Sequence, residues 1–156
     1  FPRHRFVERY HTDPRADVGF IDGQGLVLAN EPMLAAQERP RIPLEGFQRF
    51  KYLVVLRGLD IGSSFFWTMN SGSLGLVMET PYESFGSVHF RPWEHYVPFH
   101  EDLADFEERL DWCAAHQDEC RAIADRAASR CRLLARGDLR DVISRRIVDG
   151  LRAQLN

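Results

Sequence analysis

The stretch Arg57-Gly58-Leu59-Asp60-Ile61-Gly62-Ser63-Ser64 puts a guanidinium, two glycines and two hydroxyls in one short segment. Those residue types suit a diphosphate. Such a ligand needs backbone N–H groups aimed at it, a nearby cation, and close approach without Cβ clashes. A Gly/Ser turn at a helix N-terminus supplies the first and the third. Arg57 supplies the cation in a fork that matches two oxygens at once. Ser63 and Ser64 add hydroxyl donors or simply cap the helix. The segment is neither G-x-G-x-x-G nor G-x-x-x-x-G-K-[ST], so dinucleotide and Walker readings fail on its residues. A plain strand-to-helix turn accounts for it equally well.

Other side chains are weaker candidates. Glu83 follows the second apolar run of the chain, where a carboxylate can accept both hydroxyls of a ribose. Glu79, four residues earlier, is its rival, and a solvated loop acid is the plain alternative for either. His89, His95 and His100 fit no helical pair and stand near no D-x-D cluster, so a metal site is not expected. Trp67, Trp93 and Trp112 read as packing residues. No Ser/His/Asp arrangement is recognisable, and no residue stands out as a general base.

The elements that must position these groups follow from hydrophobic pattern. Tyr52–Leu56 is an apolar run of strand length, suited to a strand buried on both faces of a parallel sheet. Phe65–Asn70 reads as a helix and Leu74–Met78 as a second strand, which makes a βαβ unit. Ligands of such sheets sit beyond the carboxyl ends of the strands, and Arg57–Ser64 occupies that position. Arg3–Tyr10 predicts a short helix, Asp17–Ile21 a strand closed by an Asp22-Gly23 turn, and Met33–Gln37 a short helix within a proline-rich loop. Tyr82–Phe85 predicts one helical turn and Glu94–Pro98 a third strand. Helices fill 102–155, with Gly137 ending one and Asp138 capping the next. The expected fold class is α/β, a parallel sheet flanked by helices with a helical C-terminal run. The whole of 1–156 reads as a single domain with its motif-bearing core at 51–128.

Composition sets outer bounds. The chain has 156 residues and a net charge of −3, which points to neither nucleic acid nor an anionic membrane as partner. No apolar run approaches the ~20 residues of a membrane span. Cys113, Cys120 and Cys131 form no C-x-x-C pair, and steps of 7 and 11 place them on nearly one helical face as small core residues. The arginines from Arg121 to Arg146 read as a solvated helix face. Lys51 is the only lysine among 20 basic residues, which suggests a GC-rich bacterial source. The first residue is Phe1, not Met, so the chain is expected to be a fragment, a processed product or part of a larger, partly ordered protein.

Several segments taken together resemble one family. They are Lys51-Tyr52-Leu53, Arg57-Gly58-x-Asp60-x-Gly62-Ser63, Trp67 with Ser71-Gly72-Ser73, and Glu83-Ser84-Phe85. Pro92-Trp93-x-His95-Tyr96-Val97-Pro98 is the most specific, followed by Asp102-Leu103-Ala104-Asp105, Trp112 and Ile123-Ala124. The family is that of the capsule-associated and lipopolysaccharide-modifying glycosyltransferases (glycosyltransferase family 90), which include the protein O-glucosyltransferases. The resemblance implies a GT-B architecture of two Rossmann-like domains, of which this chain is the C-terminal, donor-binding half. It implies an inverting transfer from a UDP-sugar, glucose- or xylose-like, as co-substrate, with no metal or other cofactor.

Carried over by position, Arg57, Gly58, Asp60, Gly62, Ser63 and Ser64 hold the diphosphate and Glu83 lies near the ribose or uracil. The catalytic base and acceptor site are expected in the N-terminal domain. Many eukaryotic members carry Arg or Lys near the positions of Ser64 and Phe66, and here both are uncharged. This leaves Arg57 as the main cation and fits a bacterial member better than an endoplasmic-reticulum one, as does a final Ala153-Gln154-Leu155-Asn156 that is no ER-retention tail. A bacterial member would act in the cytoplasm, peripherally at the inner membrane, on a glycan or lipopolysaccharide precursor. A non-catalytic nucleotide-sugar-binding or scaffold domain and a plain α/β domain are the alternatives.

Overall fold

A computed structural model describes residues 2–21, 32–58 and 60–154. Its centre is a parallel sheet in the order β1-β2-β3, with β1 at Tyr52–Val55, β2 at Leu74–Met78 and β3 at Val97–Phe99. Tyr52 pairs with Leu74 and Leu76 with Val97, which fixes the register. The helices are α1 (Pro2–Tyr10), α2 (Pro32–Ala35), α3 (Ser64–Met69), α4 (Phe106–Ala115), α5 (Gln117–Leu134) and α6 (Gly137–Gln154). Short 3-10 turns occur at Leu44–Arg49 and Ser87–His89.

Alternation along the strands sorts side chains into two cores. Leu74, Leu76 and Met78 join Val97, Phe99, Phe6 and Tyr10 of α1, Phe106 and Cys113 of α4, and Ile123 of α5. Val55 and Val77 face the other way, onto Phe65 and Met69 of α3, Phe90, and Ala127 of α5. All five residues of β2 are buried, as a central parallel strand requires. Each large apolar side chain buried here contributes about 1.5–3 kcal/mol. After α3 the chain reverses at Gly72, whose φ of +83° favours glycine. Ser73 Oγ donates to the Phe50 carbonyl at 2.7 Å, tying the start of β2 to the approach to β1.

Several local expectations are corrected. Asp17–Ile21 is not a strand: a single bridge joins Phe20 to Glu38. Asp17 instead meets Arg39 and Arg49, at 3.8 and 3.7 Å, and Pro40 has no N–H with which to extend a ladder. The Asp22-Gly23 turn lies outside the described residues. The helical turn expected at Tyr82–Phe85 forms later, at Ser87–His89. Ser84 and Ser87 cause the shift, because the backbone N–H of each donates to the other's Oγ, at 2.8 and 3.1 Å. The third strand starts at Val97 rather than Glu94. Residues 93–95 form a turn with Trp93 at φ 64°, closed by the His95 N–H on the Arg91 carbonyl at 3.0 Å.

The C-terminal run begins at Phe106 and is interrupted at His116. Gly137 does not end a helix. Helix α5 closes through Ala135 in right-handed geometry, and Gly137 opens α6. Asp138 lies in the first turn of α6 and pairs with Arg136 at 2.6 Å, which holds its carboxyl below the usual range. Helix α6 has no buried residue.

The three cysteines do not share one face. Cys113 and Cys120 are buried in the α1/α4 core, and Cys131 packs on the α3 side. Burial, with Cys120 adjacent, pushes the Cys113 thiol up to about 12, and burial also raises Cys120 and Cys131. Thiolate is the reactive form. Iodoacetamide at mild alkaline pH is therefore expected to leave Cys113 and Cys120 unmodified in the folded protein and to modify both in urea. Mass spectrometry reads this out; prompt native alkylation of Cys113 would contradict the placement.

Candidate functional site

The carboxyl ends of the three strands open into a cavity of about 710 Å³. Its apolar floor includes Val55, Phe65, Val77, Tyr96 and Pro98, and its polar wall includes Arg57, Glu79, Thr80, Glu83, His100 and Glu101. Parallel strands create such a place, since every connecting loop leaves from the same edge. Arg57 leaves β1, Glu79 leaves β2, and His100 and Glu101 leave β3.

Arg57 is already engaged. Its Nη2 donates to Glu101 Oε1, and this contact raises the guanidinium pKa further. Its Nε is buried and makes no hydrogen bond among the described residues. The loop behind it is shaped by its own backbone. The Gly58 N–H donates to the Asp60 carbonyl at 3.2 Å, and the Phe65 N–H donates to the Gly62 carbonyl at 2.8 Å. A Cβ on Gly62 would stand 2.9 Å from the Leu56 carbonyl oxygen, so the turn itself requires this glycine.

Of the residues singled out in the sequence, Arg57, Gly62 and Glu83 line the cavity, as does Glu79. Gly58, Asp60, Ser63 and Ser64 are outside its lining. Gly58 faces Arg3 of α1, and Ser63 precedes α3 without a side-chain capping bond. Glu83 is exposed on the irregular stretch before the 3-10 turn.

A third strand at Glu94–Pro98, as the pattern predicts, hides His100 and Glu101 from view as cavity residues. The structure brings both to the rim. His100 Nδ1 is 3.2 Å from Glu79 Oε2, and His100 Nε2 is 3.9 Å from Asp105 Oδ2. Asp105 also accepts the His100 backbone N–H at 2.8 Å and meets Arg109 at 2.9 Å. Burial and the neighbouring Glu79 raise the Tyr96 phenol.

The other aromatic and imidazole groups act elsewhere. His95 is buried in its turn and accepts the Arg91 N–H on Nδ1 at 3.0 Å; burial lowers its pKa. His89 packs edge-on against Phe85. Trp93 packs edge-on against Trp112, and Trp67 packs against Phe47. Among the described residues no three His, Cys, Asp or Glu side chains are grouped to hold a metal ion. None of the described helices is long and apolar enough to cross a membrane. The cavity thus offers an apolar floor for a flat group, acids for hydroxyls and one guanidinium for an anion.

The profile of glycosyl transferase family 90 matches residues 26–138. The chain is similar to protein O-glucosyltransferase 3 of Rattus norvegicus, 35% identical over 50% of this chain and 15% of that protein. It is similar to O-glucosyltransferase LpsA of Dichelobacter nodosus, 29% identical over 80% of this chain and 37% of that protein. It is also similar to the uncharacterized protein 027R of Frog virus 3, 31% identical over 57% of this chain and 10% of that protein. The chain therefore spans well under half the length of these relatives.

Proposed function

This chain belongs to glycosyl transferase family 90, and from that premise we propose that it is the donor-binding half of an inverting glycosyltransferase of GT-B architecture. The donor is a UDP-sugar, glucose- or xylose-like. The acceptor is a precursor of bacterial surface polysaccharide or lipopolysaccharide, met in the cytoplasm and peripherally at the inner membrane. An N-terminal Rossmann-like domain supplies the acceptor site and the catalytic base. The reading calls for no resident metal.

The observation that carries it is the cavity beyond the strand ends, with Arg57 and Glu83 both in its wall. Arg57 takes the diphosphate, with the Gly58–Ser64 loop behind it. Glu83 takes the ribose hydroxyls, and the apolar floor takes the flat base. The similarity to O-glucosyltransferase LpsA over 80% of this chain supports a hexosyl donor.

Calorimetry on the intact protein tests this directly. UDP-glucose is expected to bind, and ADP- and GDP-glucose to bind far more weakly. The 156-residue chain alone is expected to bind weakly and to transfer nothing. No heat with UDP-glucose would sink the proposal. Glu83→Gln is expected to weaken UDP about tenfold by removing a charged acceptor. It should also abolish the preference for UDP over its 2′-deoxy analogue. Glu79→Gln is expected to keep that preference; the reverse pattern would move the ribose to Glu79.

A further inference from the structure

The donor reading leaves a charge problem in the cavity wall. Arg57 shares the cavity lining with Glu79, Glu83 and Glu101, and Glu101 already holds its Nη2. A sugar-diphosphate diester brings further negative charge to that wall. His100 is the lining side chain that can add a positive charge by taking up a proton. Its ring stands between two carboxylates, Nδ1 at 3.2 Å from Glu79 and Nε2 at 3.9 Å from Asp105. A neutral imidazole has one N–H and one lone pair, so one ring nitrogen would turn a lone pair toward an acid. An imidazolium donates on both sides. Arg109 and the His100 backbone N–H hold Asp105 in place, so the far side of the ring is anchored.

The geometry points to His100 as the second cation for the donor's diphosphate, charged by a proton that is taken up as the donor binds. This rests on the donor-binding reading and extends it. Glu79 at the end of β2 and Asp105 before α4 stand beside the ring, with Arg109 of α4 on Asp105, and Arg57, Tyr82, Glu83, Tyr96 and Glu101 line the same cavity. A bound phosphate stabilises the imidazolium, so the complex holds more proton than the free protein. Donor affinity is therefore expected to fall as pH rises. The diphosphate of a UDP-sugar is a diester with no group titrating there, unlike the terminal phosphate of UDP, so the dependence belongs to the protein.

The test is calorimetric titration of the intact protein with UDP-glucose at about pH 6 and about pH 8, in buffers of unlike ionisation enthalpy. Net proton uptake is expected, with binding about fivefold tighter at the lower pH. His100→Gln should lose both effects. His100→Lys, which carries its charge at either pH, should bind tightly at both with no proton uptake. The ring is 59% exposed, so these variants are expected to fold. Equal affinity at both pH values without proton uptake overturns the inference and leaves the donor reading standing. So does a His100→Gln protein that matches wild type, or a pH dependence that survives in His100→Lys. Absence of UDP-glucose binding at either pH overturns both.

Discussion

Arg57→Ala is expected to weaken UDP-glucose binding about thirtyfold, the scale for losing hydrogen bonds to a charged group. The guanidinium is the cation in the cavity wall, and it leaves β1 at the strand edge where the other polar lining residues gather. Glu101 holds one nitrogen, while Nε is buried and makes no hydrogen bond among the described residues. The side chain as a whole is 22% exposed and lines the cavity, so an arriving phosphate oxygen meets the accessible part of the guanidinium and not the buried Nε. Arg57→Lys should recover part of the binding but not all, because a point charge lacks the fork. Calorimetry measures both variants, and urea unfolding checks that each is folded. Undiminished affinity in a folded Arg57→Ala protein would put the diphosphate somewhere else.

Arg57, Gly62 and Glu83 were legible because each lies close to a strand whose pattern is unambiguous. Tyr52–Val55 and Leu74–Met78 are both apolar runs of strand length, but only β2 is buried throughout; the expectation of burial on both faces fails for β1, an edge strand among the described residues in which Tyr52 and Val54 are only half-buried. The third strand was not readable in the same way. It has three residues with a proline in the middle, and the apolar Tyr96 before it belongs to the turn bridge. Pro98 is tolerated because β3 pairs only with β2 among the described residues. Placing that strand early conceals what its end presents. The partner of Arg57 is also a matter of distance along the chain. Glu101 lies 44 residues away, and no local pattern reports such a contact. Gly137 misleads for another reason. Glycine after a helical stripe signals a stop, but here the chain bends at Ala135 and the glycine begins the next helix.

Phe99→Ala is expected to destabilise the protein by about 4 kcal/mol, the range for truncating a buried aromatic side chain. Phe99 is fully buried at the end of β3. Its ring meets Phe106 of α4 at 4.9 Å and Phe6 of α1 at 6.5 Å, so one side chain joins strand, following helix and N-terminal helix. Rigid strands and helices hem in the hole it would leave, which limits collapse. Phe99→Leu keeps most of the volume and is expected to cost about 1 kcal/mol. Urea titration distinguishes the two, and near-equal midpoints would mean that this core relaxes freely. The consequence reaches the cavity, because His100 and Glu101 follow directly in the chain. Phe99 also fixes Glu79, whose backbone N–H donates to the Phe99 carbonyl at 2.8 Å. Under conditions where Phe99→Ala remains folded, its UDP-glucose affinity should therefore fall although residue 99 touches no cavity surface. A ring packed behind the sheet edge sets where both the counter-charge of Arg57 and the titratable imidazole stand.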